Sequence, residues 1–112
     1  MKFYHNPRCS KSRQTLQLLK EKGVSPEVVL YLENTPTVSE LKNILEKLNI
    51  PAEKLIRKGE SDFKENFKGK ELSSQEWINA MIKYPKLIER PILVNGDKAK
   101  IGRPPENVLE II

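Results

Sequence analysis

The chain contains one cysteine, Cys9, at the point where a first strand should end and a first helix should begin. A helix N-terminus has unpaired backbone N–H groups and a partial positive charge, and both favour a thiolate over a thiol. Arg8 and Arg13 flank this cysteine, and the only histidine, His5, lies four residues before it. Since the thiolate is the reactive form of cysteine, this segment predicts a nucleophile in an anion-binding loop.

Other interpretations of these residues stay open. Cys9 could be a buried structural thiol, although its polar neighbours favour a nucleophile. His5 could hydrogen-bond the loop rather than act on Cys9. The arginines at positions 8 and 13 could be solvent-exposed, and Ser10 and Ser12 could cap the first helix.

Redox chemistry at Cys9 would need a thiol from outside the chain. Position 12 is serine, so there is no Cys-x-x-Cys pair, and the chain has no second cysteine. A disulfide-forming Cys9 must therefore be resolved by an external thiol. One cysteine and one histidine are too few for a structural zinc site, so no metal is expected.

Length and composition predict one ordinary globular domain. The chain has 112 residues, of which 38% are hydrophobic and 31% charged. It has neither a membrane-length apolar segment nor a signal-peptide core, and a lone cysteine agrees with a reducing compartment, so we expect a cytoplasmic protein with no membrane partner. The net charge of +5 favours a solvated lysine-rich surface over nucleic-acid binding, because no aromatic and basic cluster accompanies it.

The arginines are distributed differently from the lysines. All five are expected in turns, loops or a first helical turn, and Arg90 and Arg103 directly precede proline. The planar fork of arginine suits bidentate capture of an oxyanion, whereas lysine acts as a point charge. The pattern favours an oxyanion site over loop salt bridges.

The N-terminal third predicts a βαβ unit. A short strand over residues 2–4 precedes a helix over about 10–22, which Gly23 ends. The continuous apolar run at 28–32 predicts a strand that is buried on both faces and parallel to the first.

The middle of the chain predicts helices, and its end predicts a hairpin. Capping boxes begin at Thr37 and Ser73, and Pro51 can open a short helix between them. Strands at 92–94 and 98–101 flank an Asn-Gly turn, and a final helix begins at Pro104 or Pro105.

This order predicts an α/β protein of thioredoxin-like βαβ-(helical insertion)-ββα architecture. A small mixed sheet would carry helices on both faces. Residues 1–112 would form a single domain, with the helical insertion at about 36–88.

Five ordered segments resemble the glutaredoxin-coupled arsenate reductase family. They are His5-Asn6-Pro7-Arg8-Cys9-Ser10-Lys11-Ser12-Arg13, Leu30-Tyr31-Leu32-Glu33-Asn34-Thr35-Pro36, Leu55-Ile56-Arg57-Lys58, Glu89-Arg90-Pro91-Ile92-Leu93-Val94 and Gly102-Arg103-Pro104. The Cys9 motif alone would be weak evidence, but the motif together with three correctly ordered arginines is strong evidence.

The resemblance implies an oxidoreductase that reduces arsenate to arsenite. Cys9 would attack arsenate, glutathione would attack the adduct as co-substrate, and glutaredoxin would resolve the mixed disulfide, with no bound cofactor. His5 would help to favour the Cys9 thiolate. The oxyanion would be held by Arg57, Arg90 and Arg103, and the site would be shaped by Asn6, Ser12 and a cis Pro91.

Two other functions compete with arsenate reduction. Spx-type transcription regulators resemble this family and bind RNA polymerase. They typically carry Cys-x-x-Cys, so Ser12 argues against such a disulfide switch, and the three loop arginines favour the enzyme. A thiol oxidoreductase with another substrate would share Cys9 and need no arsenate.

Overall fold

The computed structural model describes residues 1–112 and contains four strands, four α-helices and three short 3-10 segments. In chain order, the strands and α-helices are β1 (Lys2–Tyr4), α1 (Ser10–Glu21), β2 (Glu27–Val29), α2 (Val38–Leu48), α3 (Ser61–Asn66), α4 (Ser74–Lys83), β3 (Ile92–Asn95) and β4 (Lys98–Ile101). The 3-10 segments are Ala52–Leu55, Pro85–Leu87 and Pro105–Ile111. None of the helices combines the length and the apolar content needed to span a membrane.

The chain forms two compact units. The first consists of Met1–Asn34 and Arg90–Ile112, and the second of Thr35–Glu89. All four strands and α1 belong to the first unit, and α2, α3 and α4 belong to the second. The second unit spans nearly the residues predicted as a helical insertion, while the single-domain organisation stays a prediction.

The first unit is built on a mixed four-stranded sheet with the order β2-β1-β3-β4. β1 pairs in parallel with β2, whereas β3 is antiparallel to both β1 and β4. Phe3 of β1 lies between Val28 and Leu93 in this register. The predicted thioredoxin-like fold and the Asn-Gly hairpin are therefore confirmed.

The core of the first unit lies against one face of this sheet. Phe3 and Leu93 are paired directly across two strands and are fully buried. Leu19 of α1 packs against them, together with Val108 and Ile111 of the C-terminal 3-10 segment. The packing holds α1, and with it the start of the helix at Cys9, against the sheet.

The prediction for β2 was wrong in its length and its burial. The strand covers Glu27–Val29 rather than residues 28–32, and Val28 is 42% exposed. β2 is the edge strand, and its only neighbour, β1, offers three residues for pairing. The chain therefore leaves the sheet after Val29 and turns, and buries Tyr31 instead.

The C-terminal segment is helical where predicted but is a 3-10 helix. Its buried residues are Pro105, Val108 and Ile111, each three positions after the last. A 3-10 helix has three residues per turn, so this spacing puts all three on one side. Burial of that side explains the tighter helix.

The second unit contains the two predicted capping boxes. The hydroxyls of Thr37 and Ser73 accept from the backbone N–H groups of Glu40 and Glu76. The unit also contains α3, which the sequence analysis did not predict and which buries Phe63. The Phe63 ring stacks on Trp77 with centroids 6.0 Å apart, so α3 is held by tertiary packing.

Candidate active site

Cys9 is the N-cap residue of α1. Its backbone is extended (φ −92°, ψ 123°), and its carbonyl accepts the first helical hydrogen bond from the Arg13 N–H at 3.0 Å. The Cys9 N–H donates to the Asn6 carbonyl at 3.0 Å, which closes the loop before the helix. The side chain makes no capping bond, so the sulfur lies at an uncapped helix start, and the residue is 9% exposed.

Arg103 brings a positive charge to this sulfur. One terminal nitrogen of its guanidinium donates to Cys9 Sγ at 3.4 Å, and its Nε donates to the Arg90 carbonyl at 2.8 Å. The side-chain amide of Asn107 donates to the Arg103 carbonyl at 3.0 Å. Side chain and backbone of Arg103 are thus both oriented, and its guanidinium lies at hydrogen-bond distance from the sulfur.

Pro91 and Gly102 join the loops that carry Arg90 and Arg103. The Gly102 N–H donates to the Pro91 carbonyl at 2.9 Å. The Arg90–Pro91 bond is cis, as the resemblance implies, and the Arg103–Pro104 bond is cis as well. The structure therefore brings Arg103 directly to Cys9, and it links Arg90 to Arg103 through the Arg90 carbonyl.

His5, Asn6 and Ser12 form a hydrogen-bonded network beside Cys9, in which His5 and Ser12 are buried. Ser12 Oγ accepts from the Asn6 N–H at 3.1 Å and lies 2.6 Å from Nδ1 of His5. Burial lowers the pKa of His5 below its ordinary value of 6.5, and the positive charges of Lys20 and Arg13 lower it further. A lowered pKa favours the neutral ring, so the contribution of His5 to the loop is its hydrogen bond to Ser12.

Arg8 and Arg13 flank Cys9 in sequence, and both side chains are exposed. Asn6 Oδ1 accepts from the Arg8 N–H at 3.0 Å, and the Pro7 carbonyl accepts from the Arg13 guanidinium at 3.0 Å. Both contacts support the shape of the loop before α1. The solvent-exposed interpretation of these two arginines is the one observed.

Arg57 belongs to the second unit, where carboxylates hold its guanidinium. It donates to Glu60 at 2.9 Å and lies 3.9 Å from Glu89. Its backbone N–H donates to the Leu87 carbonyl at 2.8 Å, beside a bridge between Ile56 and Ile88. The position of Arg57 is fixed within this unit by both its backbone and its side chain.

Two residues that sequence reasoning assigned no role, Thr15 and Asn107, and one that it quoted only within a motif, Gly102, help to build the site. Thr15 and Gly102 lie in close contact, and Asn107 bonds to the Arg103 carbonyl. A glycine directly before an Arg-Pro pair was the available signal for Gly102. The described residues include no group of three or more histidine, cysteine or carboxylate side chains that could hold a metal ion.

Known proteins are similar to this chain over nearly its whole length. The uncharacterized protein YfgD of Escherichia coli K12 is 54% identical over 114 residues, which cover 100% of this chain and 96% of that protein. An arsenate reductase of Haemophilus influenzae is 50% identical over 112 residues, with 98% and 97% covered. The structure of an arsenate reductase from Vibrio cholerae matches with a TM-score of 0.94 at 46% identity and covers 100% of this chain and 98% of that one.

A family model agrees with these relatives. The model of the ArsC family matches residues 4–111, from the last residue of β1 to the end of the C-terminal 3-10 segment. The matched range includes Cys9 and the three arginines of the predicted oxyanion site. The chain therefore belongs to the ArsC family.

Proposed function

We propose that this chain is an arsenate reductase in which Cys9 is the nucleophile and glutathione and glutaredoxin are the external thiol donors. The observation that carries the proposal is the 3.4 Å hydrogen bond from the Arg103 guanidinium to Cys9 Sγ at the uncapped start of α1. The names of the Haemophilus influenzae and Vibrio cholerae relatives support the choice of arsenate.

Arginine forks would bind the oxyanion. Arsenate is a tetrahedral dianion or monoanion near neutral pH, and planar guanidinium groups can pair with two of its oxygens at once. Arg103 already lies at the sulfur, and its Nε is oriented by the Arg90 carbonyl. Arg90 and Arg57 complete the proposed oxyanion set, and the role of Arg57 rests on the sequence resemblance alone.

Reduction of arsenic(V) to arsenic(III) takes two electrons, which the thiols of Cys9 and glutathione supply. The Cys9 thiolate attacks arsenic(V) and forms an S–As bond, and one arsenate oxygen leaves as water. Glutathione thiolate then attacks the Cys9 sulfur, the S–As electron pair stays on arsenic, and arsenite leaves with arsenic(III). A glutaredoxin thiol exchanges with the resulting Cys9–glutathione disulfide and restores Cys9.

The requirement for external thiols follows from the neighbours of Cys9. The chain has no other cysteine, and the residue at the resolving position of a Cys-x-x-Cys motif is Ser12. Ser12 is fully buried, and its oxygen is engaged with His5 and Asn6. A glutathione-rich reducing compartment suits this chemistry, so we include a cytoplasmic location in the proposal.

His5, Asn6, Ser12 and Pro91 would shape the site. The bonds of Ser12 to His5 and Asn6 hold the loop that precedes Cys9. The Pro91 carbonyl accepts from the Gly102 N–H and so supports the segment that carries Arg103. None of these four residues needs to exchange a proton with the substrate in order to shape the site.

The test is arsenate-dependent NADPH oxidation with glutathione, glutaredoxin and glutathione reductase supplied. The native chain should turn over, and Cys9→Ser and Cys9→Ala should not. Omission of glutathione or of glutaredoxin should each stop steady-state turnover by the native chain. Turnover by a folded Cys9→Ser variant would contradict the proposed nucleophile.

No turnover by a folded native chain with an alkylatable Cys9 would overturn the assignment to arsenate. A pull-down with RNA polymerase would then test the regulator interpretation. Capture of the polymerase by the native chain would support a regulator, and its absence would favour a thiol oxidoreductase with another substrate.

A further inference from the structure

Gly102 is packed so tightly that it has no room for a side chain. A Cβ at this position would lie 2.7 Å from Thr15 Oγ1, 2.8 Å from Pro91 Cγ and 2.9 Å from Thr15 Cγ2. Its backbone is not in the left-handed region, so space and not conformation requires glycine here. The backbone before Arg103 therefore packs directly against α1 and against Pro91, the residue before β3.

Thr15 is the residue of α1 against which Gly102 packs. It is fully buried in α1, and its hydroxyl donates to the Lys11 carbonyl at 2.7 Å. The Gly102 carbonyl lies 3.4 Å from the same hydroxyl. A hydroxyl has one proton, and the shorter bond takes it, so the contact with Gly102 is chiefly one of packing.

The contact between Thr15 and Gly102 connects the helix that follows Cys9 to the segment that carries Arg103. Thr15 lies in the helix that begins at Cys9, and Gly102 directly precedes Arg103. The Gly102 N–H donates to the Pro91 carbonyl, which holds the segment from its other side. The separation of the Arg103 guanidinium from the Cys9 sulfur therefore depends on how closely Gly102 approaches Thr15.

We propose that Thr15 and Gly102 are positioning residues whose close contact sets the Arg103 guanidinium against the Cys9 sulfur. The inference deepens the proposed function because it concerns the same pair of groups. It holds whichever oxyanion the site takes, and its test requires no arsenate.

A methyl group at Gly102 would have to displace one of its neighbours. Thr15 is buried within a helix, and Pro91 is buried and directly precedes β3, which pairs with β1. The segment of Gly102 and Arg103 is the part with one exposed side, since Arg103 is exposed. We therefore expect Gly102→Ala to move Arg103 away from Cys9 by several tenths of an ångström.

The test compares alkylation of Cys9 by iodoacetate, which is anionic, with alkylation by iodoacetamide, which is neutral. Both rates scale with the thiolate fraction, so their ratio at one pH reports the charge beside the sulfur. Arg103→Ala removes the whole unit charge and should lower the ratio by about fivefold. The smaller shift of Arg103 expected in Gly102→Ala should lower it by about 1.3-fold. Gly59→Ala is the matched control, because a Cβ there meets no atom within 4 Å.

Two further variants test whether Gly102→Ala acts by moving Arg103 or by disturbing the fold in general. In an Arg103→Ala background, Gly102→Ala should have no additional effect on the ratio. Thr15→Ala added to Gly102→Ala removes two of the three close contacts and should restore part of the ratio. An unchanged ratio in folded Gly102→Ala, or a fall that persists without Arg103, would overturn the proposal.

If Gly102→Ala does not fold, Thr15→Ala alone tests the same contact. Without the Thr15 side chain, Arg103 is held less closely, and the ratio should fall by about 1.3-fold. A native circular dichroism spectrum with an unchanged ratio would contradict the inference. Because alkylation needs neither arsenate nor glutathione, failure of the proposed function and failure of this inference are distinguishable.

Discussion

The two longest helices of the second unit, α2 and α4, begin in a different way from α1 of the first unit. In the second unit, α2 and α4 start with complete capping boxes at Thr37 and Ser73. In the first unit, α1 starts at Cys9, whose side chain makes no capping bond. Side-chain caps stabilise the starts of α2 and α4, whereas in the proposed function the start of α1 is left to a nucleophile and an anion.

The absence of a side-chain cap at Cys9 lowers the stability of α1. A side-chain cap stabilises a helix by about 0.5–2 kcal/mol, and α1 forgoes this contribution at Cys9. Burial of Leu19 against Phe3 and Leu93 holds the helix in place instead. Function at the start of α1 thus depends on tertiary packing further along the helix.

The arginines of the predicted oxyanion site also differ between the two units, in the partners of their guanidinium groups. In the second unit, Arg57 pairs with the carboxylates of Glu60 and Glu89. In the first unit, Arg103 donates to a backbone carbonyl and to the Cys9 sulfur. We therefore expect Arg103 to contribute more to the reaction than Arg57.

The largest expected effect is that of Arg103→Ala on arsenate turnover. Loss of an oriented donor for developing negative charge typically costs about 10²–10³ in rate, and we expect that loss in kcat/KM here. Arg57→Ala should cost about tenfold, because its charge is partly offset by two glutamates. Steady-state NADPH oxidation measures both, and an equal or larger effect of Arg57→Ala would break the comparison.

Removal of the caps in the second unit should affect stability and not chemistry. Thr37→Ala and Ser73→Ala should each lower the free energy of unfolding by about 1 kcal/mol, since each leaves a helix start without its partner. Urea denaturation measures the loss, and Ser39→Ala, at an exposed position of α2, is the control. A tenfold fall in turnover with unchanged stability would show that these helix starts are not merely structural.

Introduction of a cap at α1 should have the opposite effect on stability. Serine is among the preferred N-cap residues, so Cys9→Ser should raise the free energy of unfolding by about 0.5–1 kcal/mol while it abolishes turnover. Cys9→Ala should abolish turnover without this gain. Equal unfolding midpoints for the two variants would mean that the start of α1 cannot be capped in this loop.

The smallest expected effect is the pH dependence that His5 contributes. Its pKa is lowered in the folded chain, chiefly by burial, so the unfolded chain binds the proton more readily. The stability contribution of neutral His5 is therefore complete above the unfolded value of 6.5 and is lost as the pH falls below it. Unfolding midpoints between pH 5 and 7 should fall less steeply in His5→Gln, and identical slopes would contradict the buried neutral ring.

Much of this protein could be predicted from its sequence because the signals are local. A capping box needs residues three positions apart, and the Asn-Gly turn needs two neighbours, so Thr37, Ser73 and Gly96 identified their elements directly. The position of Cys9 at the start of α1 followed from the same kind of pattern. The ordered motifs around Cys9 and the arginines also identified the family.

Other features depended on partners distant in sequence and were decided only by the tertiary structure. β2 stops at Val29 because β1 is short, and α3 forms where Phe63 can stack on Trp77. The Arg103–Cys9 bond spans 94 positions, and the contact of Thr15 with Gly102 spans 87. Hydrogen bonding along the chain determines where helices and turns begin, but which side chains meet at the sulfur depends on packing between elements, and a local pattern carries no information about that packing.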